Sequence, residues 1–301
     1  SSTASSTIDL NVGGLIGANY GTKVNKVIAS SKLSLNTRNT SLTSVGGLIG
    51  RNGRAGDRNL GNSEKIGGKI SNSIVKTYIN LSNLSKENTY TCYIGGVVGY
   101  NYKATLSNAI YLGNIKARLQ NLNYVGGLIG ANVDDSGNIN ENSAFDGETD
   151  KCYFIEDLNL TPVRNNDFGK AISYADFIEN LDNYLLFIES NEENILFDEE
   201  LTQEGSVFNP YIINASGEIE GLDGKTIADT EEYKYYVVVD DITIVNTIDN
   251  IQGIIMGNGH ILTLKNTLAN EISENAVLAN LCLKLDNDNK IELNYKNYNT
   301  G

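Results

Sequence analysis

Apolar positions in the first half of the chain fall in short runs that Gly, Ser and Asn interrupt before any reaches helical length. Segments 12–16, 24–29 and 32–35, and later 94–98, 105–111 and 114–119, are rich in Val, Ile, Leu and Tyr, which predicts three short strands per unit. A Gly-Gly pair in the first run of each unit opposes a helix there by about 1 kcal/mol per glycine. Further on the period changes. From Ala171 to Ile188, Ile172, Ala175, Ile178, Leu181 and Leu185 recur at three- and four-residue steps, a pattern that predicts an amphipathic helix. The acidic stretch Glu189–Glu204 reads as a linker, its one strong apolar run being Ile195-Leu196-Phe197. Residues 205–264 return to β character with Asn209-Pro210-Tyr211-Ile212-Ile213, the run Tyr235–Ile244, and a Gly257-Asn258-Gly259-His260 turn.

The first half repeats itself. Val12-Gly13-Gly14-Leu15-Ile16-Gly17 recurs with Gly46, Gly47 and Gly50, then with Gly95, Gly96 and Gly99, and finally with Gly126, Gly127 and Gly130. Two residues after each last glycine stands an asparagine: Asn19, Asn52, Asn101 and Asn132. The copies are 33, 49 and 31 residues apart. In the second unit the strand Ile70-Ser71-Asn72-Ser73-Ile74 arrives late against Val24–Ile28 and Leu106–Ile110. Arg51–Gly67 holds the surplus and reads as an exposed loop insertion of about 13 residues.

A unit of three strands and three turns, repeated, describes one coil of a stack in which equivalent residues lie above one another about 4.8 Å apart. The expected fold is therefore all-β: a right-handed parallel β-helix (β-solenoid) over residues 1–160, a helical cap and acidic linker over 161–204, and the opening of a second β-solenoid module over 205–301. Gly would permit tight corners, Val12, Val45, Ile94 and Val125 would form an aliphatic column, and the asparagines could share amide hydrogen bonds along the stack. In the next strand Lys26 stands where later units have Asn72 and Asn108, and the sequence does not say which way that column faces.

The hexapeptide, its trailing asparagine and the following strand resemble the GLUG motif of bacterial surface and secreted proteins, over about residues 8–145. The segment with Cys152-Tyr153-Phe154 and Gly169–Ser173 looks like the closing piece of such a solenoid, and 205–264 like the opening of another. On this resemblance both ends look cut from a longer polypeptide. The resemblance implies a non-catalytic adhesin-like or stalk segment, secreted or attached to the cell surface, that presents loops to host or matrix glycans or to neighbouring surface proteins. It also allows a spacer region of a large surface peptidase.

Composition alters the picture in two places. The formal net charge is −14, but residues 1–133 carry 14 Lys+Arg against 4 Asp+Glu, and the rest carry 9 against 33. The basic first half can attract anionic polymers, and Arg51, Arg54, Arg58 and Lys65 of the insertion are its candidate contact loop. An acidic whole chain, with no aromatic platform beside those arginines, argues against nucleic acid. No apolar run approaches the roughly 18 residues of a membrane span.

Catalytic signals are sparse. His260 is the single histidine, which removes two-histidine metal sites and disfavours a serine triad. Asp240-Asp241 would point to opposite faces of a strand, Asp134-Asp135 lies in an open loop that could hold calcium or act as paired acids, and Asp286-x-Asp288 resembles half a calcium loop but lacks its Gly and closing Glu and reads as a solvated turn. Paired acids on one solenoid face would make a β-helical polysaccharide lyase or hydrolase, the alternative to a scaffold. The reading adopted has no catalytic residue, cofactor or metal. Cys92, Cys152 and Cys282 are far apart and read as free thiols.

Overall fold

The computed structural model describes residues 9–37, 42–53, 67–83, 91–102, 104–119, 123–133, 151–158, 169–181, 183–184, 203–245, 251–265, 271–273, 276–285 and 292–293. The chain divides into two compact units, Ser1–Ile195 and Leu196–Gly301. Both are built almost wholly from parallel strands that stack coil upon coil, a solenoid-like all-β architecture.

In the first unit the opening coil contributes β1 (Leu10–Gly13), β2 (Ile16–Asn19) and β3 (Lys23–Thr37). The second contributes β4 (Thr43–Gly46), β5 (Ile49–Asn52) and β6 (Lys69–Asn83). The third has β7 (Cys92–Gly95), β8 (Val98–Tyr102), β9 (Thr105–Tyr111) and β10 (Asn114–Leu119). The fourth has β11 (Asn123–Gly126), β12 (Ile129–Val133) and β13 (Cys152–Ile155), after which β14 (Lys170–Ile172) adds one more parallel strand to β13. Corresponding strands form three sheets. The first runs β1-β4-β7-β11, the second β2-β5-β8-β12, and the third is built around β6 and β9.

The register places Val12, Val45, Ile94 and Val125 in one column, and Ile16, Ile49, Val98 and Ile129 in another. Their buried members join Leu48, Val97, Leu128, Ile70, Val75 and Ile79 in one core. Each such side chain contributes roughly 1.5–3 kcal/mol relative to exposure.

Three features differ from the sequence reading. The expected strand 12–16 is broken into two by Gly-Gly, because the chain turns a corner there. In the first two coils the other two expected strands fuse into the single ribbons β3 and β6, and only Leu112-Gly113 in the third coil separates β9 from β10. The amphipathic stripe from Ala171 is also only partly helical. Ala171 and Ile172 belong to β14, and α1 spans Tyr174–Glu179, with Ser173 as its N-cap accepting from Asp176 N. Its buried face is Tyr174 and Phe177, while Ala175 is exposed. The short strand wins because Ile172 pairs in register with Ile155, and Asp157 Oδ2 accepts from Tyr174 N at 2.7 Å where the helix starts. Leu185 and the remainder of the stripe lie outside the described residues.

The insertion has the expected length of about 13 residues but starts later than Arg51. Arg51 and Asn52 complete β5, so they are not loop. Between the column asparagine and the first residue of the third-sheet strand lie three residues in the first coil (20–22), three in the third (102–104) and sixteen in the second (53–68). The surplus is therefore the thirteen residues 54–66.

The second unit stacks shorter coils. After β15 (Tyr211–Ile213) come β16 (Tyr235–Val238) and β17 (Ile242–Ile244). The next coil has β18 (Ile254–Met256), β19 (Ile261–Leu264) and β20 (Glu271–Ile272), and the last has β21 (Val277–Ala279), β22 (Cys282–Leu285) and β23 (Glu292–Leu293). Tyr236, Ile255 and Leu278 are register partners, so successive coils are 19 and 23 residues long. The run Tyr235–Ile244 is thus two strands with a bend at Asp240.

Deleting 54–66 leaves Gly53, Gly67 and Gly68 as the same three-residue bridge the other coils use. Because loop-closure entropy varies slowly with length, the melting temperature should move by less than about 3 °C. Thermal unfolding followed by circular dichroism checks this; loss of the folded state would show that the segment is core.

Candidate functional site

The signature glycines are demanded by the neighbouring coils. A Cβ on Gly14, Gly47 or Gly96 would overlap the carbonyl oxygen of Gly47, Gly96 or Gly127 in the next coil. A Cβ on Gly13, Gly46 or Gly95 would overlap the carbonyl of Ile16, Ile49 or Val98 across the corner. The third glycine looks the other way along the stack. A Cβ on Gly50 or Gly99 would lie 2.5 Å from the backbone nitrogen of Val12 or Val45 in the preceding coil, and one on Gly130 would overlap that of Ile94. Gly127 accommodates the ring of Phe154, and Gly96 that of Tyr111. Gly126 pairs with Gly95 in the first sheet.

The four asparagines form a buried ladder. Asn19 Nδ2 donates to Asn52 Oδ1 (2.9 Å), Asn52 to Asn101 (3.1 Å), and Asn101 to Asn132 (2.9 Å). Asn19 and Asn101 also donate to the carbonyls of Thr22 and Ala104, which fixes the turn into the third sheet. A shorter ladder runs beside it. Lys26, Asn72 and Asn108 all have left-handed backbone, with φ of 56°, 53° and 47°. Asn108 donates to Asn72 (2.8 Å), and Asn72 donates to Asn25 Oδ1 (2.9 Å), since Lys26 has no amide to offer. Asparagine tolerates this conformation better than other non-glycine residues, which accounts for its place in the column.

Arg51 is held in place by its surroundings. It lies 3.5 Å from Asp9, its Nε donates to Gly53 O (3.3 Å), and its guanidinium sits 4.8 Å from the centre of the Tyr100 ring. Tyr100 packs on Tyr93, which stacks on Tyr124 at 5.4 Å. Burial, then the neighbouring Tyr100 and Tyr124, pushes the Tyr93 phenol up to about 12. Arg51 is thus a strand residue tied to a tyrosine cluster; Arg54, Arg58 and Lys65 lie outside the described residues. The sequence reading missed this cluster. Its signal was position, since Tyr93 and Tyr124 stand immediately before Ile94 and Val125 of the repeat.

A basic stack went equally unnoticed. Lys23 lies directly over Lys69 in the parallel pairing of β3 with β6, both side chains are exposed, and exposed Lys26 follows on the same strand. Like charges one coil apart oppose each other by a few tenths of a kcal/mol, which an anion would relieve.

Among the described residues the acidic candidates do not gather into a site. Asp240 Oδ1 accepts from Asp241 N (2.7 Å), and Asp241 Oδ1 accepts from Ile261 N (2.9 Å) with His260 Nδ1 3.4 Å away. This trio joins two coils at a turn. Asp134, Asp135, Asp286 and Asp288 lie outside the described residues. Among the described residues no three His, Cys, Asp or Glu come together as a metal site, and no helix is long and apolar enough to cross a membrane. None of the three cysteines is in a disulfide; Cys92 and Cys152 are buried and Cys282 is exposed. Comparison with protein-family models, curated proteins and solved structures finds no match.

Two outcomes follow from the columns. Asn52→Ala removes both an acceptor and a donor from the ladder and should cost about 2–4 kcal/mol in chemical denaturation, whereas Gly96→Ala, meeting backbone, should abolish folding of the first unit. High pH provides the other. Burial raises the phenols of Tyr111 and Tyr174 well above the usual 10, and Tyr93 to about 12. The fold favours their neutral form, so this stability is complete below pH 10 and drains away as pH climbs toward 12. Strand circular dichroism should hold to about pH 10 and then fall together with tyrosinate absorbance; tyrosines that ionise freely while the strands persist would contradict the burial.

Proposed function

We propose that this chain is a non-catalytic scaffold segment of a bacterial surface or secreted protein of the GLUG-repeat kind, a stalk that carries binding positions on its edges. The observation that supports this most is where the repeated residues go. In the three later copies the signature is occupied inside the stack: glycines against neighbouring backbone or a ring, aliphatics in the core, and asparagines bonded to one another, with Asn19 of the first copy joined to the same ladder. A repeat whose identities are consumed by stacking specifies a long object with a uniform cross-section. What varies from coil to coil is the edge between the asparagine and the third sheet.

The ligand class this reading favours is an acidic glycan, met by the basic first half. The exposed Lys23–Lys69 stack with Lys26 replaces Arg51 as the described part of that surface, and the cations of 54–66 lie in the adjoining sequence. Such binding is dominated by ion pairing and should be screened by salt. Titration with a sulfated or uronic-acid polysaccharide should show affinity falling steeply between 50 and 300 mM salt, on the order of tenfold or more. Lys23→Glu with Lys69→Glu should weaken it further without loss of fold. Binding that ignores salt, or no binding, would remove the glycan role, and release of reducing ends or unsaturated products from the polysaccharide would replace the scaffold reading with an enzyme.

A further inference from the structure

The third glycine of the signature is required by the coil that precedes it. Gly50 faces the backbone of Val12, Gly99 that of Val45, and Gly130 that of Ile94, each one coil earlier. Gly17 carries the same residue without the same neighbour. Among the described residues the nearest atom to a Cβ there is the carbonyl oxygen of Asn11 in its own coil, at 3.1 Å. That contact is tight but asks only a few tenths of an ångström of one carbonyl, and Gly17 is not among the glycines with positive φ, so its own coil demands glycine far less than the later coils do.

Two independent features of the same face agree. Leu15 is 57% exposed, whereas its counterparts Leu48, Val97 and Leu128 are fully buried. The ladder is also polar end to end. In each later coil the asparagine Oδ1 receives the Nδ2 of the coil before, so at Asn19 it is the Oδ1 that faces outward, accepting Thr22 N at 3.1 Å. Among the described residues no strand pairs with the outer edges of β1, β2 or β3, the last a 15-residue ribbon. An edge of that length needs a cover.

We infer that this face is the seat of a further coil of the same repeat, in parallel register, carried ahead of β1 on the same polypeptide. The incoming coil would lay its first strand over Gly17, donate an asparagine Nδ2 to Asn19, and cover Leu15. Another copy of this chain is a poorer fit, because the third sheet of its last coil is already occupied by β14 and Gly169 sits on Leu128. The inference rests on packing alone and stands whether or not the chain binds a glycan.

The test extends the full chain. Residues 92–122 span the interval from β7 to β11, so a duplicate of them joined directly ahead of Leu10 supplies one coil of natural length. In the unextended chain Gly17→Ala should lower the melting temperature by about 3 °C or less, against about 10 °C or more for Gly50→Ala. In the extended chain the melting temperature of the first unit should rise, and Gly17→Ala should become as damaging as Gly50→Ala. The inference fails if Gly17→Ala is already severe without the extension, if it stays mild with it, or if the extended chain is no more stable or does not fold. It fails too if the unextended chain is a dimer in which a Leu15→Cys variant cross-links two copies, since a second copy would then hold the face.

Discussion

Successive coils approach each other through bare backbone at the Gly-Gly corner, and the remaining features of the first unit depend on that approach. The carbonyl of one coil occupies the space where a side chain of its neighbour would begin. If the corner were wider, the second-sheet strands could not follow the first-sheet strands at hydrogen-bonding distance, and the asparagine ladder would fall out of reach. The corner also sets what the third sheet can place against it. Ala29, Val75, Tyr111 and Phe154 are register partners, and the two rings lie on Gly96 and Gly127 because no side chain competes for the space.

The buried polar columns work by a related rule. A side chain that must accept from the coil on one side and donate to the coil on the other needs an oxygen and an NH2 at the same reach. Asparagine has both; aspartate lacks the donor, and an aliphatic residue leaves two neighbours unsatisfied at roughly 1–3 kcal/mol each. The two ladders point in opposite directions: the long one donates toward the C-terminal coils, and the short one toward the N-terminal coils. The short ladder keeps its first bond only because Asn25 accepts in place of Lys26, while Lys26 still adopts the left-handed backbone of its column.

Stacking in register explains what the sequence disclosed and what it hid. Identical environments from coil to coil call for identical residues, so the glycine corner, the aliphatic columns and the asparagine ladder were legible as a repeat. Features that use different residues in each coil were not. The tyrosine cluster draws on Tyr93 and Tyr100 from the third coil and Tyr124 from the fourth, with Arg51 from the second, and only the tyrosines ahead of Ile94 and Val125 recur in the sequence. Arg51 resembled the start of a loop because the sequence beyond it is polar, yet its backbone continues β5 beside Asn52. The helix was overextended for a comparable reason: Ile172 satisfies a helical period and a strand pairing equally well, and only the partner Ile155 decides between them. In the second unit the column partners Tyr211, Tyr236, Ile255 and Leu278 are all apolar but mostly different, so its shorter coils left no period to count.

Variation and charge converge on one edge of the first unit. The bridge from the ladder asparagine to the third sheet has its start fixed by the ladder and its end fixed by β3, β6 or β9, so its length contributes little to the stability of either. Three residues suffice, as 20–22 and 102–104 demonstrate, and sixteen are accepted in the second coil. The strands that receive this bridge open with Lys23 over Lys69. A stack of this kind can therefore lengthen its edge, or alter the charge beside it, without disturbing a single column residue. The core and the edge are under separate constraints, the core held to near-identity by its neighbours and the edge held only at its two ends.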